Sequence, residues 1–204
     1  MGTNAKQRFD EAMNRCDNLI VISHNSDEVL LKGELLRYAI VLAVSALDMY
    51  AGDRFGENFV SELKSHPPAD KDIKFLDKIH VGMKDVLELL RETPKHPYRR
   101  MRTLVDEYLS RNSMQSLKKI DELYEYFGLP KITSCACKKA KRKALHKCIG
   151  KLLDRRNKIV HGCDYNGQNV LQKISEKEVR RWIEAVKRLV ANMEDIVVKK
   201  FPQK

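Results

Sequence analysis

Arg156-Asn157-Lys158-Ile159-Val160-His161, followed by Gly162, combines three side chains able to act on a phosphodiester. An imidazole titrates near neutrality and serves as either general acid or general base. A guanidinium presents a planar fork to phosphate oxygens, and an amide fixes an imidazole or donates to the same phosphate. Together they suit RNA cleavage, in which the ribose 2'-hydroxyl attacks the adjacent phosphate. That reaction needs a base, an acid for the departing 5'-oxygen, and positive charge on the developing phosphorane. A single histidine does not readily fill both proton-transfer roles in one step, so two copies facing across a twofold axis form the simplest complete arrangement.

The element carrying these residues is legible from spacing. Leu145, Cys148, Ile149, Leu152, Ile159 and Val160 recur at intervals of three and four, which at about 100° per residue draws one apolar stripe along a helix. Arg156 falls within that stripe and needs a carboxylate, a partner subunit or a ligand phosphate, because a guanidinium is rarely buried unpaired. Asn157 and His161 are four apart and share one flank. Gly162 suits the left-handed residue just past a helix end, which puts His161 on the last, electronegative turn. Arg155 falls on the opposite flank and is expected to be solvated.

With the motif closing the penultimate long helix of an all-helical chain, the sequence resembles the HEPN superfamily. Members carry an Arg, usually followed by a polar residue, with His four to six positions beyond. Leu152-Leu153-Asp154 before Arg155 and Ile159-Val160-His161-Gly162 after it are most similar to the RiboL-PSP-HEPN group. The run Ala43-Val44-Ser45-Ala46-Leu47-Asp48-Met49-Tyr50 resembles that group's long second helix. Ser116 to Leu129, ending in Phe127-Gly128-Leu129, resembles the short helix before its catalytic one. The likeness is close over 145–163 and loose elsewhere.

The resemblance implies an all-α, HEPN-like helical bundle and a homodimer with a composite active site. It implies a metal-independent endoribonuclease, with no cofactor, that leaves 2',3'-cyclic phosphate ends. It also implies service in toxin–antitoxin or antiviral defence, with an antitoxin or defence-system protein as partner. Arg156, Asn157 and His161 are then the catalytic residues. A non-catalytic HEPN module that binds nucleic acid or nucleotides, or scaffolds a partner, remains open on the sequence.

Charge points to a polyanion. Lys and Arg exceed Asp and Glu by 39 to 28, a formal +11, and the isoelectric point is near 9.4. Phosphate neutralisation and counterion release favour nucleic acid for such a chain. Lys138, Lys139, Lys141, Arg142, Lys143, Lys147 and Lys151 run into the motif helix without one acid, a candidate RNA-binding track, and Arg99-Arg100-Met101-Arg102 extends it.

The remaining pattern supplies the scaffold. A first helix is expected from about Asn4 to Ile22. A second follows Asn25-Ser26-Asp27-Glu28, read as a capping box, and is apolar nearly all round between Tyr38 and Tyr50, so it is central and buried. Asp48 interrupts it and is a candidate support for Arg156 or His161, with Arg54 or Lys32 as ordinary alternatives. Pro67-Pro68 and Pro94-Lys95-His96-Pro97 break the chain. A helix from about Asp72 to Arg91 lies between them, and shorter ones run near Met101 to Leu109 and Ser116 to Tyr126. Residues 64–114 read as a helical insertion within a single domain, 1–204.

The last helix starts at Ser175 with a second capping box and carries Val179, Trp182, Ile183, Val186, Leu189, Val190, Met193, Ile196 and Val197 on one face. Cys135-x-Cys137 and His146-x-Cys148 have one residue between paired ligands where structural zinc prefers two to four, so no metal site is expected. Five cysteines without a regular framework suit a reducing cytoplasm. The longest apolar run, Tyr38 to Leu47, is half of the roughly 20 residues a bilayer requires.

Overall fold

The computed structural model describes residues 4–67, 69–79, 81–82, 97–140 and 144–202, and within these the chain is helical. The α-helices are α1 (Ala5–Asn25), α2 (Val29–Ser65), α3 (Asp70–Lys78), α4 (Pro97–Arg111), α5 (Leu117–Tyr124), α6 (Ile132–Lys139), α7 (Leu145–Gly162) and α8 (Glu176–Lys200), with a 3-10 turn at Glu125–Phe127. No strand forms among the described residues. One antiparallel bridge joins Tyr165 to Leu171.

α2 is the axis. It packs along α1 and against α4, α5, α7 and α8, while α8 also meets α1, α6 and α7. Its buried residues run from Leu36 to Phe59 and occupy several sides of the helix, as its lack of a polar face dictates. Burying it so fully brings polar groups inside, and several of them find partners. Tyr50 Oη donates to Glu194 of α8 (2.8 Å). Arg54 bridges Glu57 at 3.2 Å and Glu194 at 2.8 Å. Tyr124 Oη donates to the Ala51 carbonyl at 3.1 Å.

Rings from several elements close one end of the bundle. Phe55 and Phe59 of α2 meet Phe75 of α3, Tyr126 and Phe127 after α5, and Phe201 through Phe127. Phe75, Val105, Leu109 and Met114, all from the 64–114 stretch, belong to the same hydrophobic core as α1, α2, α7 and α8. The expected 72–91 helix is seen as Asp70–Lys78; residues 83–91 lie outside the described part.

Helix starts depart from the capping-box reading. Asn4 does cap α1, its Oδ1 accepting from Gln7 N at 2.8 Å, and Ser116 caps α5 through Lys119 N at 3.1 Å. Asn25 is instead the last residue of α1; the N-cap of α2 is Glu28, without a side-chain cap bond. Ser175 holds the N-cap place of α8 but its hydroxyl makes no cap bond. The sequence pattern does not predict α6. Its eight residues, ITSCACKK, carry two β-branched side chains and two thiols and give little helical signal. It is held by Asp121, whose carboxylate accepts from Thr133 N at 2.8 Å and Thr133 Oγ1 at 3.0 Å.

Candidate active site at the end of the motif helix

α7 is anchored by Leu145, Ile149 and Leu152, which are buried, with Leu153 and Ile159 packed at the edge of the core. The apolar stripe fades toward the C-terminus, and Val160 is 45% exposed. The C-terminal end of the helix therefore projects from the core. His161 lies on the last turn, as expected. It is exposed, as is Asn157, while Arg156 is half-buried.

Arg156 donates from Nη1 to Asn157 Oδ1 at 3.2 Å. Its Nε is buried without an acceptor, and no carboxylate pairs with it among the described residues. The two side chains thus form a local pair, with the remaining guanidinium donors uncommitted. An uncommitted, partly desolvated guanidinium is equipped to take a phosphate.

Arg155 is the residue the sequence misplaces. Rather than being solvated, its side chain is only 15% exposed and donates from Nη2 to Asp164 Oδ2 at 2.7 Å. Nη2 also reaches the carbonyls of Gln172 (3.3 Å) and Lys173 (3.0 Å). Asp164 is fully buried. It receives a second guanidinium, Arg37 Nε of α2 at 2.8 Å, and Arg37 Nη2 donates to the Gln172 carbonyl at 2.8 Å. The group is a clamp in which one carboxylate holds α7 and α2 together through two arginines. Gly33 makes room for it, since a Cβ there would lie 2.8 Å from Arg37 Nη1.

The turn that delivers Asp164 also differs from expectation. Gly162 remains helical, and the left-handed residues are Cys163 (φ 47°) and Asp164 (φ 63°). Both are non-glycine, and Asp is among the few residues that tolerate that region. Cys163 N donates back to the Lys158 carbonyl, the six-residue closure that satisfies a helix end, and Asp164 N reaches the same carbonyl at 3.0 Å. Gln172 N then donates to the Asp164 carbonyl at 3.0 Å, and Asn166 Oδ1 accepts from Gln168 N and Val170 N, each at 2.9 Å. The loop after His161 is thus a fastened hairpin rather than a loose connection. Only the adjacency of Asp164 to His161-Gly162 hinted at it.

Asp48 does not support the site. Its carboxylate accepts from Met114 N at 2.5 Å and Gln115 Nε2 at 3.3 Å, fixing the chain ahead of α5. An acid within a buried helix had to find donors, and Met114 N and Gln115 Nε2, before Ser116, supply them.

The basic track divides. Lys147 and Lys151 are exposed on α7 and Lys138 on α6, whereas Lys139 is engaged with Asp195. Lys141, Arg142 and Lys143 lie outside the described residues. Arg102, of the second cluster, pairs with Asp106 and Asp53. Cys135 is exposed and Cys137 buried on α6, and burial beside Asp121 pushes the Cys137 thiol up to about 11. Among the described residues no three His, Cys, Asp or Glu side chains group to hold a metal, and no helix is long and apolar enough to cross a membrane.

Comparison with known proteins places this geometry in a family. No curated protein and no solved structure matches the chain. The RiboL-PSP-HEPN family model matches residues 7–199, which spans the helices from α1 to α8 and takes in the whole of the Arg156–His161 motif. The chain belongs to the RiboL-PSP-HEPN family, a group of helical, nuclease-like or RNA-binding modules.

Proposed function

We propose that the protein is a metal-independent endoribonuclease that acts as a homodimer. His161 from one protomer takes the proton of the ribose 2'-hydroxyl as its oxygen attacks phosphorus. His161 of the facing protomer gives a proton to the 5'-oxygen as the P–O5' bond breaks. The products are a 2',3'-cyclic phosphate and a free 5'-hydroxyl, so every proton and bond is accounted for. Arg156 neutralises the phosphorane, and Asn157 orients it. A defence or toxin ribonuclease, silenced by an antitoxin or a defence-system partner, is the biological setting this chemistry fits.

The observation that carries the reading is Arg156. Its Nε is buried and without an acceptor, its side chain bonds to Asn157 alone among the described residues, and His161 stands exposed on the last turn of the same helix. The neighbouring Arg155 also has a buried Nε without an acceptor, but its Nη2 meets a carboxylate and two carbonyls, whereas no carboxylate among the described residues reaches Arg156. Val160, 45% exposed beside His161, gives a second copy an apolar contact.

The test is cleavage of a mixed RNA pool with end-group analysis, with and without EDTA. His161→Ala is expected to abolish cleavage while circular dichroism and the oligomeric state stay unchanged. Cleavage that survives His161→Ala, or that EDTA eliminates, would overturn the mechanism. Tight RNA binding without cleavage would establish a binding module instead.

A further inference from the structure

Away from His161, α7 and α8 enclose a second concavity. A cavity of about 210 Å³ opens between the first half of α7 and the middle of α8. Its floor is apolar, formed by Ala144, Leu145, the Cys148 thiol and Ala185. Leu145 and Ala185 are each 5% exposed, so these surfaces belong to the packed core. Its rim is cationic, with Lys147 and Lys151 on α7 facing Arg181 and Arg188 on α8. The one acid, Glu184, is bonded to Arg188 Nε at 2.8 Å. Four cations against one carboxylate leave a surplus of three. Lys147, Lys151 and Arg181 have no ion pair among the described residues.

An apolar floor between two rows of cations matches one kind of ligand. A flat, largely apolar ring fills the floor while the phosphates on either side of it meet the rim. The volume is below that of sites for drug-sized molecules, so it takes one ring system and not an extended ligand. Arginines beside such a floor offer guanidinium planes on which an unstacked base lies, the mode in which single-stranded RNA is read. Duplex RNA keeps its bases stacked and cannot supply one.

Position separates this cavity from the cleavage site. Lys151 and His161 are ten residues apart on one helix, which at 1.5 Å rise per residue is about 15 Å. Lys147, Lys151 and Lys158 fall within about 40° of one another around α7, and His161 is about 60° further round, taking about 100° per residue. A strand seated at the cavity therefore runs obliquely along α7 toward His161, several nucleotides from the bond that is cut.

We propose that the α7–α8 cavity seats one unstacked base of a single-stranded RNA substrate, held by its flanking phosphates on Lys147, Lys151, Arg181 and Arg188. The proposal rests on the RNA-cleaving reading for its substrate, and its test separates the two.

The probe is a fluorescein-labelled single-stranded oligoribonucleotide, and the protein is full-length His161→Ala, which keeps the RNA intact. Ala185→Trp fills the floor and is expected to weaken single-strand binding about tenfold, since one stacked base contributes on that order. Binding of a blunt RNA duplex should not change. In a Cys135→Ser, Cys163→Ser background, the same oligonucleotide should protect Cys148 from N-ethylmaleimide. This readout does not depend on the tryptophan variant folding. Unchanged affinity in folded Ala185→Trp, or absence of Cys148 protection by bound RNA, overturns the base seat. Equal protection by duplex RNA or by polyglutamate also overturns it. RNA that binds and protects Cys148 but is left intact by the wild-type chain sinks the ribonuclease reading and leaves the cavity assignment standing.

Discussion

Replacing Asp164 with Asn removes one charge from the clamp and little else. The side chain is fully buried, nearly isosteric with Asn, and sits at φ 63°, a region Asn also accepts. What is lost is the counter-charge of two guanidinia whose side chains are 7% and 15% exposed, at 2.8 and 2.7 Å. Both arginines keep their carbonyl bonds to Gln172, and Arg37 keeps Glu34 at 3.2 Å. The expected cost is therefore about 3 kcal/mol, the low end for breaking a buried pair from one side. Asp164→Ala should cost about 1 kcal/mol more, because alanine is strained in the left-handed region.

For a chain of this length a loss of about 3 kcal/mol corresponds to a fall in Tm of roughly 6 to 12 °C. Urea unfolding followed by circular dichroism measures it directly, and a cycle with Arg155→Met locates the cause. If the penalty is an orphaned guanidinium, the double variant should be more stable than the sum of the two single losses by about 1 kcal/mol or more. Asp164→Asn within about 1 kcal/mol of wild type, or strict additivity with Arg155→Met, would refute the clamp. Cleavage gives a second readout. The Lys158 carbonyl that caps α7 is bonded to the Asp164 N–H at 3.0 Å, so loosening Asp164 should lower RNA cleavage at temperatures where the protein is still folded.

Other expectations follow from the same side chains. Lys147→Gln with Lys151→Gln should weaken binding of single-stranded RNA and reduce the slope of log K against log salt by about 0.7 for each phosphate that is no longer neutralised; an unchanged slope would remove both from the track. Asp48→Ala should destabilise by roughly 1 to 3 kcal/mol through the orphaned Met114 N–H, with cleavage by the folded fraction unchanged, measured as activity normalised to folded protein. Burial raises the Cys16 thiol from 9.0 to about 12. The unfolded chain therefore loses that proton first, and the stability tied to the protonated thiol is full below pH 9 and declines as pH rises toward 12. Wild type should lose about 2 kcal/mol more than Cys16→Ala between about pH 8 and 10.5 in urea unfolding; equal losses would discount the thiol.

What could be read in advance rests on local pattern. The face of α8 from Val179 to Val197 follows from three- and four-residue spacing, the burial of α2 from apolar residues on all its sides, and the placing of His161 on a final turn from the stop signal beside it. The misses share a different cause: side chains whose partners lie far along the chain. Arg155 reads as solvated because its angle on the helix points away from the apolar stripe. It is mostly covered because Asp164 folds back beneath it and Arg37, from a distant part of the sequence, meets the same carboxylate. Asp48 reads as a support for the site because nothing local satisfies it, and its donors come from the chain before Ser116. Gly162 reads as the left-handed residue by type, but the turn is made one and two residues later, where the Asp164 carboxylate binds to two arginines and holds a non-glycine backbone in place.

The two consecutive arginines show how one helix end can be rigid and, on the proposed reading, reactive together. An arginine that must present its fork to a phosphate cannot also spend it on the scaffold, and a helix end without an anchor does not hold a histidine in register. Arg155 and Arg156 divide these tasks by the roughly 100° between them. Arg155 turns its Nη2 toward Asp164 and the hairpin at Gln172 and Lys173, and Arg156 turns its Nη1 toward Asn157; the Nε of each is without an acceptor. Neighbours of identical chemistry thus serve opposite ends. The carboxylate is supplied to the arginine that fixes the turn, and none among the described residues reaches Arg156, as the proposed ribonuclease reading requires of an arginine whose anion arrives with the substrate.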